Sequence, residues 1–206
     1  MIPVLLTTYN RLEYTKKAIA AAKGTCDLFV FDNGSTDGTV SWLASQELNC
    51  VFSKKNLGVA GAMNAFLQVV QDEDFAGKID NDTIVTPFWA ERLREIAYQY
   101  GLDVIQAKHH VIPRVHEKGW PGLMSTCKQI GPGVYESNFV GGAGIIFKPS
   151  KITTIELTDW KLLGWNKWQL KHLDVRKAFY EGVEVKLLDE HGYSDYPDYY
   201  KETQRL

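Results

Sequence analysis

Short apolar runs alternate with amphipathic segments along the first half of the chain. The runs have the length and composition of buried strands, and they are Val4–Thr7, Leu28–Phe31, Cys50–Ser53 and Phe75–Ile79. Helical patterns follow over Leu12–Ala22, from Ser35 or Thr36 to about Gln46, from Val59 to Val70, and from Thr86 to Tyr100. This alternation predicts an α/β fold with a Rossmann-like, mainly parallel central sheet flanked by helices.

The second half has a less regular pattern. Prolines and glycines within Lys108–Gly133 predict a long loop or a pair of short edge strands. Val140–Phe147 predicts a return to the sheet, Trp165–Tyr180 a helix, and Val183–Leu188 a last strand. Because the chain has neither an internal repeat nor a linker, one domain over residues 1–206 is the simplest organisation.

Composition places the chain among ordinary globular proteins, with 45% hydrophobic and 23% charged residues and a formal net charge of −2. This charge gives no overall attraction to nucleic acid or anionic membranes. Cys26, Cys50 and Cys127 are far apart, which predicts free thiols in a reducing compartment. The opening Met1–Leu6 does not have the pattern of a signal peptide, and no apolar run approaches the roughly 20 residues that cross a bilayer. We therefore expect a cytoplasmic protein with no transmembrane segment.

Polar clusters follow the predicted strands, and parallel sheets bind ligands at the carboxyl ends of their strands. In the cluster Asp80-Asn81-Asp82, two carboxylates lie one residue apart, and burying both without a partner would carry a large desolvation cost. Mg²⁺ or Mn²⁺ would remove this cost because both ions prefer oxygen ligands, and the ion would neutralise a diphosphate leaving group. Taken alone, the same pattern also fits a solvated turn or a helix cap.

Four segments in a fixed order form a wider pattern: Val4–Arg11, Phe31–Thr39, Asn56–Asn64 and Asp80–Asp82. The set resembles the motifs of glycosyltransferase family 2, whose members have the GT-A fold. The third segment matches that family's N-x-G-x-[AG]-x-[AG]-x-N pattern, and the fourth lies where the family has its D-x-D. The resemblance implies a single GT-A domain with a nucleotide-sugar-binding half over residues 1–100 and an acceptor-binding half over 101–206.

The resemblance also implies roles for individual residues. The candidates for binding a nucleoside-diphosphate sugar, with UDP as the favoured nucleotide, are Thr7, Thr8, Tyr9, Arg11, Asp32, Asn33, Asn56, Gly58, Asn64, Asp80 and Asn81. The candidates for holding Mn²⁺ or Mg²⁺ are Asp80, Asp82 and the late His191. The candidates for facing the acceptor hydroxyl of a glycan, lipid, protein or modified nucleic acid are Trp165, Trp168 and Gly142.

Some of these roles have two interpretations. Tyr9 would stack on the base or serve as a rim aromatic, and Asp32 would accept a hydrogen bond from a pyrimidine ring. Asn64 would either brace its loop or contact the donor. Asp37 fits a turn or a helix start better than a ligand. Trp165 and Trp168 have faces that suit sugar rings, although tryptophans at this spacing also pack in cores.

Inverting transfer requires a base that takes the proton from the acceptor hydroxyl. The resembling enzymes have this carboxylate in an E-D-x-D-like segment before a helix, and the chain departs from that pattern over Lys167–Arg176. Asp174 is the first candidate, with His172 and Asp159 as alternatives. Asp174 would otherwise be an exposed helix carboxylate paired with a neighbouring lysine.

Other functions compete with this interpretation. A dinucleotide-binding dehydrogenase is disfavoured because Thr7–Asn10 stands where a G-x-G-x-x-G would follow the first strand. A nucleotidyltransferase would share the sheet and the acidic pair but would open with a Gly-rich phosphate loop. A non-catalytic module that binds sugar nucleotides or glycans would lack the base. The basic stretch Lys108–Lys118 would contact an anionic acceptor or form a solvated loop.

Overall fold

The strand–helix alternation of the first half is present in the structure, a computed structural model that describes residues 1–109, 127–157 and 164–188. The strands are β1 (Pro3–Thr8), β2 (Asp27–Asp32), β3 (Asn49–Phe52), β4 (Ala76–Asp80), β5 (Thr83–Ile84), β6 (Val104–His109), β7 (Lys128–Gly131), β8 (Val134–Glu136), β9 (Ile145–Phe147) and β10 (Lys177–Leu187). The helices are α1 (Leu12–Ala22), α2 (Thr39–Ala44), α3 (Gly58–Val69), α4 (Trp89–Tyr100) and α5 (Gly164–Lys171).

All these strands belong to one twisted, mixed sheet. Its order is β3-β2-β1-β4-β9-β6-β10-β8-β7, and β5 pairs with the end of β10. The strands β3, β2, β1 and β4 are parallel to one another. Antiparallel β9 lies between β4 and β6, and β6 and β10 return to the direction of β4. The sheet therefore contains strands from both halves of the sequence.

The pairing register defines two edges of this sheet. Lys78 in β4 pairs with Ile145 in β9, which pairs with Gln106 in β6, and Gln106 pairs with Phe179 in β10. These four residues therefore lie at one level. The carboxyl ends of β1, β2, β4, β6 and β10 point the same way, and we call this side of the sheet the carboxyl edge. The opposite side is the amino edge.

Helices cover both faces of the sheet because the buried strands alternate between two cores. In β1, Val4 and Leu6 face one core with α1, α2 and α4, whereas Leu5 faces the other core with α3 and α5. Fully buried Trp89 packs in the first core and Phe66 in the second. This arrangement fixes the strand ends on which the polar clusters lie. Within the described residues, no helix combines the length and the apolar character that crossing a bilayer requires.

The predicted elements are confirmed in the first half and partly wrong in the second. The helix expected over Trp165–Tyr180 ends at Lys171, and the chain enters β10 at Lys177. The start of β10, Lys177–Phe179, is buried at every position and has no alternation that would mark a strand, so the helical pattern before it was extended too far. The expected edge strands are present in part as the antiparallel hairpin β7–β8. Most of the basic stretch after Lys108 lies outside the described residues.

Candidate active site

The carboxyl ends of β1 and β4 bring the acidic pair together with the first motif. Thr7 and Asp80 are partners in the parallel register, and Thr7 Oγ1 donates to Asp80 Oδ1 at 2.9 Å. Asp80 is the last residue of β4, and its side chain remains 30% exposed. The sequence therefore presents one carboxylate at the carboxyl edge while a threonine from the neighbouring strand fixes its orientation.

A buried lysine forms an ion pair with the same carboxylate. Lys78 is 2% exposed, and its Nζ lies 2.5 Å from Asp80 Oδ1 and 2.7 Å from the carbonyl oxygen of Gly142. A buried ammonium is tolerated only where it is paired, because its desolvation is costly. Lys78 thus joins the acidic pair to the Gly141–Gly144 segment, and it places Gly142 beside Asp80.

The second aspartate has its own cation. Arg11 Nη1 lies 3.3 Å from Asp82 Oδ2, and Arg11 Nη2 donates to Asn81 Oδ1 at 2.6 Å. Arg11 is 3% exposed and adopts the left-handed conformation, with φ 60° and ψ 50°, directly before α1. The preceding Asn10 is also left-handed, with φ 53°. These two consecutive left-handed residues turn the chain sharply before α1, and after this turn the Arg11 guanidinium contacts Asn81 and Asp82.

Asn81 is the centre of a buried network and is not presented to a ligand. Its Nδ2 donates to Thr8 Oγ1, Asn10 O and Thr15 Oγ1 at 3.1–3.2 Å, and Asn81 is 2% exposed. Thr8 is equally buried at 1% and shares a hydrogen bond with Thr15. The structure therefore contradicts the predicted donor contacts of Asn81 and Thr8, and it assigns Arg11 to the same internal network. Tyr9 is half-buried just after β1.

The end of β2 forms a tight turn around its own aspartate. Asp32 is fully buried, and its oxygens accept from the backbone N–H groups of Gly34 and Ser35 and from Ser35 Oγ at 2.5–2.9 Å. Oδ2 accepts only one of these bonds and could accept another, but because Asp32 is 0% exposed, a contact with a pyrimidine would require the turn to move. Asn33 is buried at 4% and accepts from Leu57 N, so it connects this turn to the third motif.

The third motif is held by side-chain amides. Asn56 Oδ1 accepts from Gly58 N at 2.8 Å at the start of α3, where Gly58 has a φ of 68°. Asn64 Nδ2 donates to Ile155 O and its Oδ1 accepts from Ile155 N, each at 2.8 Å. The bracing interpretation of Asn64 is thus the one that the structure supports. Asp37 accepts from Leu12 N and Thr39 N in the turn before α2, and because α2 has no acidic residue in its first turn, the turn is the one of its two predicted structural roles that is observed.

The acidic pair offers oxygen donors of the kind that Mg²⁺ and Mn²⁺ prefer. Asp80 Oδ2 takes part in neither of the bonds that hold Oδ1, and the Asp82 side chain is 14% exposed. Among residues 1–109, 127–157 and 164–188, no group of three or more His, Cys, Asp or Glu side chains is arranged to hold a metal. Leu188 N donates to Asp82 O at 2.7 Å, and His191 lies beyond it, outside the described residues.

The two leading candidates for the base lie at the amino edge of the sheet. Lys177, the first residue of β10, pairs with the start of β6, which pairs with the end of β9, which in turn pairs with Ala76 at the amino end of β4. Lys177 therefore lies at the amino edge. Asp174 is in the exposed turn before Lys177, and His172 accepts from Lys177 Nζ at its carbonyl oxygen. Both residues therefore lie at the amino edge, away from Asp80, which does not fit a base that acts at the carboxyl edge. Asp159 lies outside the described residues.

The two tryptophans predicted to face the acceptor are core residues. Trp165 and Trp168 are 5% and 4% exposed, and their rings stack with centroids 5.2 Å apart. Their Nε1 atoms donate to Val140 O at 3.3 Å and to Thr153 Oγ1 at 2.9 Å, respectively. With their polar atoms satisfied inside the protein, neither side chain presents a face to a sugar, so their predicted acceptor role is wrong.

Lys78 is the site residue that sequence reasoning missed. It lies two residues before Asp80 in a strand that is otherwise apolar or small, with the sequence AGKID. A charged residue at a fully buried strand position requires a partner, and a carboxylate at i+2 is on the same face of the strand. That pairing was available in the sequence as a signal.

Solved structures of similar fold include the following three. A fragment of TarS from S. aureus, residues 1–349, has a TM-score of 0.63 at 14% identity over 97% of this chain and 62% of that chain. The same fragment in complex with UDP gives a TM-score of 0.63 at 15% identity over 92% and 61%. GalNAc-T7 with UDP, GalNAc and Mn²⁺ gives 0.63 at 7% identity over 91% and 43%.

These similarities establish the fold, and the predicted GT-A architecture is confirmed. This chain spans less than two thirds of the length of the chain in each of these three structures. No curated protein matches it in sequence. The sequence profile described as glycosyl transferase family 2 matches residues 4–153, which include the four motifs, β1 to β4 and β9. The chain belongs to glycosyl transferase family 2.

Proposed function

We propose that this chain transfers a sugar from a nucleoside-diphosphate sugar, with UDP as the nucleotide, to an acceptor hydroxyl with inversion at the anomeric carbon. The observation that carries the proposal is the convergence of Thr7, Asp80 and Asp82 at the carboxyl edge, where parallel sheets bind their ligands. Structures of similar fold that hold UDP and UDP-GlcNAc support a nucleotide-sugar donor.

Each residue of the site would have a defined task toward the donor. Asp80, oriented by Thr7 and Lys78 through one oxygen, would accept hydroxyl groups of the ribose or the sugar with the other. Tyr9 would stack on the base from the end of β1. Asn33, Asn56 and Gly58 would hold the loop at the start of α3 close to the nucleotide.

Asp80 and Asp82 would hold Mn²⁺ or Mg²⁺, and His191 stays a predicted third ligand. When bound, the ion would neutralise the negative charge that develops on the departing diphosphate. The chain would contribute two oriented carboxylates, because Arg11 and Lys78 fix their positions from inside the fold.

The base must lie within hydrogen-bond reach of the acceptor hydroxyl at the carboxyl edge. Since His172 and Asp174 lie at the amino edge, Asp159 is the candidate that we retain. Gly164 is the first residue of α5, and Ala60 is in the first turn of α3. The two residues are so close that a Cβ added to Gly164 would lie 2.9 Å from the Ala60 side chain. The first turn of α5 is therefore near the carboxyl edge. We propose that the acceptor, whose class stays open, approaches along Gly141–Gly144.

Calorimetry with UDP and release of UDP from a panel of UDP-sugars, each with and without Mn²⁺, test the proposal. Asp80→Asn should abolish turnover and weaken UDP binding, whereas the matched control Asp27→Asn, at the amino end of β2, should leave both unchanged. Turnover that survives Asp80→Asn would contradict the site assignment. UDP binding without turnover of any donor would favour the non-catalytic module, and failure to bind UDP or any other nucleotide would overturn the proposal.

A further inference from the structure

Each aspartate of the acidic pair is matched by a buried cation of the protein. Lys78 Nζ lies 2.5 Å from Asp80 Oδ1, and Arg11 Nη1 lies 3.3 Å from Asp82 Oδ2. The side chains of Lys78 and Arg11 are 2% and 4% exposed, so water has little access to either charged group. These four side chains together carry no net formal charge.

Both cations are also fixed by bonds to other parts of the protein. Lys78 donates to Gly142 O at 2.7 Å, and Arg11 donates to Asn81 Oδ1 at 2.6 Å. A buried ammonium or guanidinium that left its carboxylate would lose a charged partner inside the fold, which is strongly unfavourable. The cations therefore stay in place when a ligand arrives at the carboxyl edge.

This arrangement has a consequence for divalent ions. An ion at Asp80 and Asp82 would be attracted by the two carboxylates and repelled by the two cations paired with them, so Lys78 and Arg11 weaken the attraction that the pair alone would exert. A diphosphate adds the negative charge that the protein does not supply. Resting on the function proposed above, we infer that the acidic pair takes up its divalent ion only together with the nucleotide diphosphate, because Lys78 and Arg11 neutralise the pair beforehand.

Binding of the two ligands is then positively coupled, and coupling is reciprocal by thermodynamic necessity. UDP should raise the affinity for Mn²⁺, and Mn²⁺ should raise the affinity for UDP by the same factor. We expect a factor of about tenfold or more, within the range of ordinary coupling energies.

Electron paramagnetic resonance of free Mn²⁺ tests this inference without any turnover. Titrations of the wild-type protein with and without UDP, corrected for the UDP–Mn²⁺ complex measured without protein, should show weak Mn²⁺ binding alone and tighter binding with UDP. Lys78→Met should tighten Mn²⁺ binding in the absence of UDP by about tenfold or more, because one repelling charge is removed. Lys78→Arg should behave as the wild type does.

Lys148→Met is the matched control, since Lys148 pairs with Asp103 at 3.4 Å near the amino edge and its loss should leave Mn²⁺ binding unchanged. Tight Mn²⁺ binding by the wild type without UDP would overturn the inference, and so would unchanged Mn²⁺ affinity in a folded Lys78→Met. If that variant does not fold, the wild-type titrations decide the question. Absence of UDP binding at saturating Mn²⁺ would instead contradict the proposed function.

Discussion

The side-chain amide of Asn64 makes two hydrogen bonds to the backbone of Ile155, donating to its carbonyl oxygen and accepting from its N–H group at 2.8 Å each. The contact joins the middle of α3 to the segment that follows β9. Ile155 is 1% exposed and belongs to the second core. A residue of the third motif thus ties the first half of the chain to the second half.

Replacing Asn64 should therefore reduce stability more than ligand affinity. Asn64→Ala leaves two backbone groups of Ile155 without partners, and we expect a loss of about 1–3 kcal/mol in the free energy of unfolding. Urea denaturation measures the change, and Gln68→Ala, at an exposed position of the same helix, is the control. If Asn64→Ala kept full stability but lost UDP affinity, the result would show instead that Asn64 contacts the donor.

Asn81 should likewise be a structural residue although it lies between the two aspartates. Asn81→Ala removes the acceptor of Arg11 and the donor for Thr8 and Thr15, all of them buried, and should cost about 2 kcal/mol or more of unfolding free energy. Asn49→Ala, at an exposed position in β3, provides the comparison by the same denaturation. A variant that keeps its stability would show that the network contributes little.

The position of α5 predicts which carboxylate matters for transfer. Asp174→Asn and His172→Gln change groups at the amino edge and should leave kcat within about twofold of the wild type. Asp159→Asn should lower kcat by about 10²–10⁴-fold if Asp159 is the general base that we propose. The measurement is UDP release from the preferred donor well below the melting temperature. A large loss in Asp174→Asn would mean that this turn reaches the acceptor.

Cys26 should be chemically inert in the folded protein. It is 4% exposed, and desolvation by burial raises the pKa of its thiol to about 11, so the reactive thiolate is scarce at pH 8. Mass spectrometry after treatment with iodoacetamide should find Cys26 unmodified in the native protein and modified in urea. Labelling of native Cys26 at the rate seen in urea would contradict the burial of this thiol.

The first half of the fold was predictable because its strands are apolar and its turns carry recognisable polar clusters. Leu12–Ala22 is the helix that the pattern predicted, and Asp80 lies at the strand end where it was expected. The second half was harder because α5 and β10 share charged, amphipathic sequence in which local preference does not decide between helix and strand. There, the pairing of Phe179 with Gln106 in β6 and with Tyr135 in β8 settles the structure of β10.

The sequence identified many of the residues at the strand ends, but it was less successful in predicting what each side chain contacts. The four motifs lie at the carboxyl edge of the sheet, as expected from their places after the strands, yet Thr8, Arg11 and Asn81 are buried in an internal network that depends on the left-handed turn at Asn10. Trp165 and Trp168 were misassigned because an aromatic side chain that stacks on a sugar and one that stacks on its neighbour have the same sequence pattern. Such choices depend on contacts between distant segments.

The insertion of β9 between β4 and β6 bears on how the protein is made. As the polypeptide is synthesised, β4 has one open edge of unpaired backbone groups until Ile145–Phe147 has been added, and open edges promote association between chains. A fragment that stops near residue 100 would retain the four motifs but leave this edge bare. Expressed separately, residues 1–100 should therefore form an aggregation-prone intermediate, and cutting the gene at that point would not yield a stable folded module.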